Sequence, residues 1–113
     1  MGSHITITPI DGPVTVSVGD LRLGESRAAL ELREGSHPAV IYVPRADVDM
    51  SRLERSPRTT TCPWKGEANY YSIRTATGRI ENAAWTYETP KPEVAAIAGH
   101  LAFYPDRVSV RRG

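Results

Sequence analysis

A chain of 113 residues, 40% hydrophobic and 24% charged, has the composition of one globular domain, too short for a catalytic domain beside a separate substrate domain. A formal charge of +1 argues against a nucleic-acid binder, which concentrates basic charge on one face, and no apolar run reaches the roughly 18 to 20 residues of a membrane span. The single cysteine, Cys62, excludes an internal disulfide and any paired-CxxC zinc site; His4, His37 and His100 lack metal-ligand spacing, so no metal and no cofactor is expected.

The opening Gly2-Ser3-His4 reads as a tag remnant or as native chain, and the first ten residues hold neither a basic nor an apolar leader segment, so cytoplasmic residence is expected. Ile5 and Ile7, then Val14, Val16 and Val18, then Leu21 and Leu23 after the Gly19-Asp20 turn, alternate with polar residues as half-buried strands do. Leu30 and Leu32 keep period two, and "AVIYV" is an apolar run ended by Pro44, as in a buried strand. Val48, Met50 and Leu53 are spaced for a short helix or a pair of turns. Residues 54–67, with Pro57, Pro63 and Gly66, read as mostly loop leading into a strand over "ANYYSIRT". "ATGR" is then a hairpin turn and "IENAAWTYE" the returning strand. Pro92 suits a first helical turn, and "VAAIAGHL" predicts one short helix with His100 at its C-terminal end, where a cationic imidazole would suit the helix dipole. "LAFY" and "VSV" close the chain as two strands around a "PDR" turn. Eight or nine short strands, one or two short helices and no long crossover helix predict a mainly β fold, a compact antiparallel sandwich or small barrel.

One pattern superficially suits nucleotide chemistry. Gly35-Ser36 followed by Asp47-x-Asp49 matches the spacing of polymerase-type nucleotidyltransferases, in which paired carboxylates hold Mg²⁺ and a Gly-Ser turn cradles phosphate at a helix N-terminus. Pro38, the β-branched run and Pro44 favour a strand where that motif needs a helix, so Asp47 and Asp49 read more simply as a cap and a solvated charge. The segment "TTTCPWKGEANYY" is a better place for chemistry. Twelve arginines against two lysines make Lys65 conspicuous, and between Pro63 and Gly66 it sits in a shaped turn. It is a candidate phosphate or carboxylate contact, or a Schiff-base amine. Cys62 reads as a buried small hydrophobe or as a thiol activated by Lys65 or a histidine; a Cys62–His100 dyad has no motif behind it. Along the following hairpin, Ala83, Trp85 and Tyr87 share one face and would form an aromatic wall with Tyr70 or Tyr71, with Glu54 and Arg74 or Arg45 at its rim.

The ordered set "YVPRADVD", "LERS", "TTCPWKGEANYYSI", "NAAWTYETP" and "IAGHLAFYPDRV" resembles a bacterial family, domain of unknown function 427, also catalogued as a nucleotidyltransferase-like domain. Its hallmark T-x-C-P-aromatic-K-G-x-A is carried by Thr60, Cys62, Pro63, Trp64, Lys65, Gly66 and Ala68. The resemblance implies an all-β fold of the Mss-four-like kind and, through its second name, nucleotidyl transfer; paired-cysteine chemistry of related folds cannot transfer to one cysteine. The expectation is a single domain over 1–113, a monomer or weak homodimer, with an unknown small molecule bound beneath the 62–66 loop. Lys65, Glu54 and Cys62 are the candidate catalytic groups, and Tyr70, Trp64, Trp85, Tyr87, Arg74 and Arg45 the candidate contacts. A non-catalytic interaction module is the alternative, and nucleotidyl transfer ranks last.

Overall fold

The alternation of apolar and polar residues becomes ten strands in the computed structural model, which describes residues 4–113. They are β1 (Ile5–Pro9), β2 (Val14–Val18), β3 (Leu21–Ser26), β4 (Leu30–Glu34), β5 (Val40–Pro44), β6 (Leu53–Cys62), β7 (Gly66–Thr75), β8 (Gly78–Thr86), β9 (His100–Phe103) and β10 (Ser109–Arg112). Short 3₁₀ helices cover Arg45–Asp47, Met50–Arg52 and Pro92–Ile97. A seven-stranded sheet runs β1-β4-β5-β9-β8-β7-β6 and a three-stranded sheet β10-β2-β3, with antiparallel pairing throughout. The large sheet keeps both edges, β1 and β6, so the barrel alternative does not hold.

Because successive side chains on a strand point to opposite faces, each central strand feeds two separate cores. Val43, Tyr71, Ile73, Leu101 and Phe103 pack with Val14, Val16 and Leu23 of the small sheet. Their neighbours Tyr42, Tyr70 and Ala102 face the other way, with Leu32, Tyr87, Val94 and Ile97, beneath the 3₁₀ turn that follows Pro92. This second core positions the candidate site.

Three expectations are corrected. Residues 53–62 form β6 rather than a loop, because the strand pairs with β7 from Leu53↔Ile73 to Cys62↔Gly66; Pro57 is accommodated where the register shifts between Arg55 and Thr59, on an edge strand that does not need its missing N–H. The predicted helix over 94–101 is only a 3₁₀ segment, kinked at Val94 (φ −123°), and Gly99 (φ +71°) then turns the chain so that His100 begins β9 opposite Pro44. Strand pairing on both sides of Leu101, with Val43 and Thr86, wins over local helical spacing. His100 therefore has no helix terminus to complement, and its ring lies 3.1 Å from the Ala98 carbonyl instead. Finally, Asn82, at φ +51°, sits in a bulge where four β8 steps from Ile80 to Ala84 span two β7 steps from Ile73 to Tyr71, so Ala83 joins Ala84 in the other core, away from Trp85.

Candidate functional site

The β6–β7 hairpin closes through Pro63, Trp64 and Lys65, between the paired ends Cys62 and Gly66. Gly66 at φ +112° takes a conformation that side-chain-bearing residues avoid, and the Lys65 carbonyl accepts from the Lys91 N–H at 2.9 Å, tying the turn to the 89–91 segment. The turn sends its two functional side chains apart. Trp64 stands 52% exposed with its ring edge-on to His4 (5.0 Å), whereas Lys65 is only 8% exposed. A lysine this buried requires a partner. Its Nζ donates to Glu34 Oε1 at 2.6 Å and lies 3.7 Å from Cys62 Sγ, and His4 Nε2 is 3.3 Å from Glu34 Oε2. The hydrogen bond from Lys65 holds the Glu34 carboxyl below its usual value, against an opposing effect of burial and with the Lys65 charge and His4 adding to it.

Lys65 and Glu34 open onto a cavity of about 210 Å³ whose walls include Tyr42, Tyr70, Tyr87 and Tyr104, four of the chain's five tyrosines, and Trp85. Trp85 is central because β8 lies between β7 and β9, and it stands opposite Tyr70 on one side and Ala102 on the other; Ala68 and Ala102 offer only methyl groups on this face, which leaves room. The Trp85 indole N–H donates to Tyr42 OH (3.3 Å), and its ring stacks at a tilt on Tyr104 (4.7 Å between centroids). Burial pushes the Tyr42 phenol up to about 12 and raises Tyr87 as well. Tyr70 is also pushed up by burial, but hydrogen bonds with Thr60 (2.9 Å) and Tyr104 and the nearby Arg58 guanidinium together outweigh this and leave it below the ordinary phenol value. Tyr104, the other member of that pair, is raised by burial and by its bond to Tyr70. The Tyr87 hydroxyl has no hydrogen-bond partner among the described residues although its side chain is buried, so it is available to whatever fills the cavity.

Only some of the expected residues come together at the cavity. Lys65, Tyr70, Trp85 and Tyr87 converge, and Cys62 packs beside them. Glu54 does not reach Lys65: it pairs with Arg79 (2.6 Å) on an exposed part of β6, and Glu34 takes the place expected of it. Arg45 donates to Tyr71 OH (2.9 Å) and lies 3.6 Å from Glu88, Arg74 donates to the Ser51 carbonyl, and neither lines the cavity. Trp64 is outside it. Sequence reasoning missed Glu34, Tyr42 and Tyr104. Period two puts Tyr42 with Val40 and Tyr104 with Ala102, but only the non-sequential placing of β9 beside β5 brings these faces together.

The residues of the nucleotide-like pattern are employed elsewhere. Asp47 accepts from Ser26 Oγ at 2.6 Å, Asp49 caps the Met50–Arg52 turn by accepting from the Ser51 N–H at 3.1 Å, and the intervening chain is strand β5. Among the described residues no group of three His, Cys, Asp or Glu is placed to hold a metal ion, and no helix is long and apolar enough to cross a membrane. No curated protein matches the chain. Residues 6–112 match a family model, and the chain thereby belongs to the family described as "Domain of unknown function (DUF427)".

Proposed function

We propose that this protein binds a small molecule in the cavity beneath the β6–β7 turn, with Lys65 donating to an anionic or carbonyl group and Tyr70, Trp85 and Tyr87 forming the wall against which the ligand lies. The observation that carries this reading is the burial of one of only two lysines, at 8% exposure, facing a concave aromatic cavity and held there by Glu34. A lysine that served only solubility would stay in water, because burying its ammonium and long side chain is costly even when it is paired. An apolar, aromatic concavity with a few convergent polar groups is the usual form of a ligand site. At about 210 Å³ the cavity is smaller than the roughly 300 to 1,000 Å³ that encloses a drug-sized ligand. This favours a compact ligand head over a nucleoside triphosphate, and the engagement of Asp47 by Ser26 and of Asp49 by Ser51 likewise speaks against nucleotidyl transfer.

A native mass-spectrometry screen against a metabolite library tests the proposal, with Lys65→Met as the control. Stoichiometric binding that is lost in Lys65→Met supports it; no binding, or equal binding by the variant, refutes it. One observation favours a second reading, a non-catalytic interaction module: Trp64, the exposed large hydrophobic residue at the hairpin tip. In that case Trp64→Ala abolishes partner or self-association while leaving small-molecule binding intact.

A further inference from the structure

Strands β5 and β9 are neighbours in the large sheet, yet their ladder holds only Val43↔Leu101 and Pro44↔His100. Continuing it would join Tyr42 to Ala102 and Ile41 to Phe103, and neither pair forms. Each strand is held from its far side instead, β5 by β4 (Leu30↔Tyr42, Leu32↔Val40) and β9 by β8 (Ala84↔Phe103, Trp85↔Ala102). The sheet parts between them, and the parting is a groove of about 560 Å³ walled by Ala39, Ile41, Phe103, Pro105 and Val110. This groove adjoins the Lys65 cavity, and Glu34, His37, Pro38, Val40 and Trp85 line both. With the indole N–H committed to Tyr42, Trp85 offers the ligand apolar ring surface.

The polar end of this composite site has a definite preference. Lys65 and Glu34 sit side by side with no net charge, so a carboxylate or phosphate entering beside Lys65 meets the Glu34 carboxylate, and an ammonium entering beside Glu34 meets Lys65. A neutral group offering an acceptor next to a donor meets no repulsion. Two of the three Lys65 N–H donors are engaged, by Glu34 and Cys62, which leaves one, and a carboxylate keeps lone pairs beyond those that Lys65 and His4 use.

We infer that the site takes an uncharged acyl amide, its carbonyl accepting from Lys65 and its N–H donating to Glu34, with the hydrocarbon chain lying across Trp85 into the groove between β5 and β9. This rests on the small-molecule reading above and narrows it to a ligand class. A terminal Tyr87 hydroxyl without a protein partner supplies a further polar contact at the head. The tail contributes affinity by leaving water, each buried methylene strengthening binding by roughly two- to fourfold.

The test is a titration of the intact protein with butanamide, octanamide, octanoate and octylamine, followed through the Trp85 indole N–H by heteronuclear NMR. Octanamide should bind at least about 15-fold more tightly than butanamide, and at least about tenfold more tightly than the two charged octyl compounds. Ala39→Phe fills the groove from a partly exposed position that does not line the Lys65 cavity. It should reduce octanamide binding to the butanamide level and leave butanamide unchanged; Val110→Asp, on β10, should do the same by charge. Chain-length-independent amide binding, octanoate binding as well as octanamide, or indifference to both variants overturns this inference while the cavity reading stands. Failure of all four probes, with a library compound still bound in a Lys65-dependent way, also overturns only the inference. Failure of every compound overturns both.

Discussion

The Lys65–Glu34 pair makes a quantitative claim about stability. Lys65→Met keeps most of the unbranched side chain and removes its charged end, leaving Glu34, whose side chain is 18% exposed, without the donor at 2.6 Å. Exposed ion pairs contribute about 0 to 1 kcal/mol, whereas removing one partner of a buried pair costs about 3 to 5 kcal/mol. This pair lies between those limits, so the expected loss at neutral pH is about 2 kcal/mol, a shift of about 1 M in the urea midpoint for a domain of this size. The pH dependence follows from the lowered carboxyl of Glu34. A carboxyl held lower in the folded state stabilises fully above its unfolded value, about 4.3, and that contribution is lost as the pH falls through the folded value. The gap between wild type and Lys65→Met should therefore be constant from neutral pH to about 5, narrow below about 4.3, and close as the pH falls through the lower folded value. Urea unfolding followed by tryptophan fluorescence across that range measures it, with Glu34→Gln and the double variant completing a thermodynamic cycle. A coupling below about 0.5 kcal/mol at neutral pH, or a gap that persists in acid, would mean that the two side chains are neighbours without being partners.

Tyr42, with its phenol at about 12 and its hydroxyl accepting from Trp85, should make stability fall between about pH 10 and 12 as the unfolded phenol ionises first; Tyr42→Phe should flatten that fall while costing about 1 to 2 kcal/mol at neutral pH, as read by urea midpoints. Asp47→Ala strands the buried Ser26 hydroxyl and should cost about 1 to 3 kcal/mol without affecting ligand binding, and neither wild type nor Asp49→Ala should show Mg²⁺-dependent stabilisation by nucleoside triphosphates in a thermal-shift assay. A clear triphosphate shift lost in both aspartate variants would restore the nucleotidyl reading. Gly24 bridges to Val48, and a methyl group there would collide with the Asp47 carbonyl, so Gly24→Ala should destabilise by about 2 kcal/mol or more while Gly19→Ala, in open space at φ +56°, costs only its backbone strain of about 1 kcal/mol.

The strands were legible because burial on one face imposes period two wherever a chain runs through an antiparallel sheet, and the sequence carries that period in Ile5–Ile7, Val14–Val18 and Leu30–Leu32. The turn that presents Lys65 was legible for a similarly local reason, since Pro63 restricts the backbone and Gly66 permits a conformation closed to residues with side chains. Local signals misled where pairing overrode them, at Pro57 inside β6 and at His100 heading β9. The sequence by itself thus determined the period, the class of fold, and which lysine to watch. Only the tertiary structure decided which carboxylate that lysine would meet, because Glu34 ends β4 and Lys65 sits in the β6–β7 turn, 31 residues further along the chain, and their approach depends on strand order. It also decided where the sheet would part: the apolar runs of β5 and β9 both suit strands, and the opening lies where β5 pairs with β4 and β9 with β8 instead of with each other.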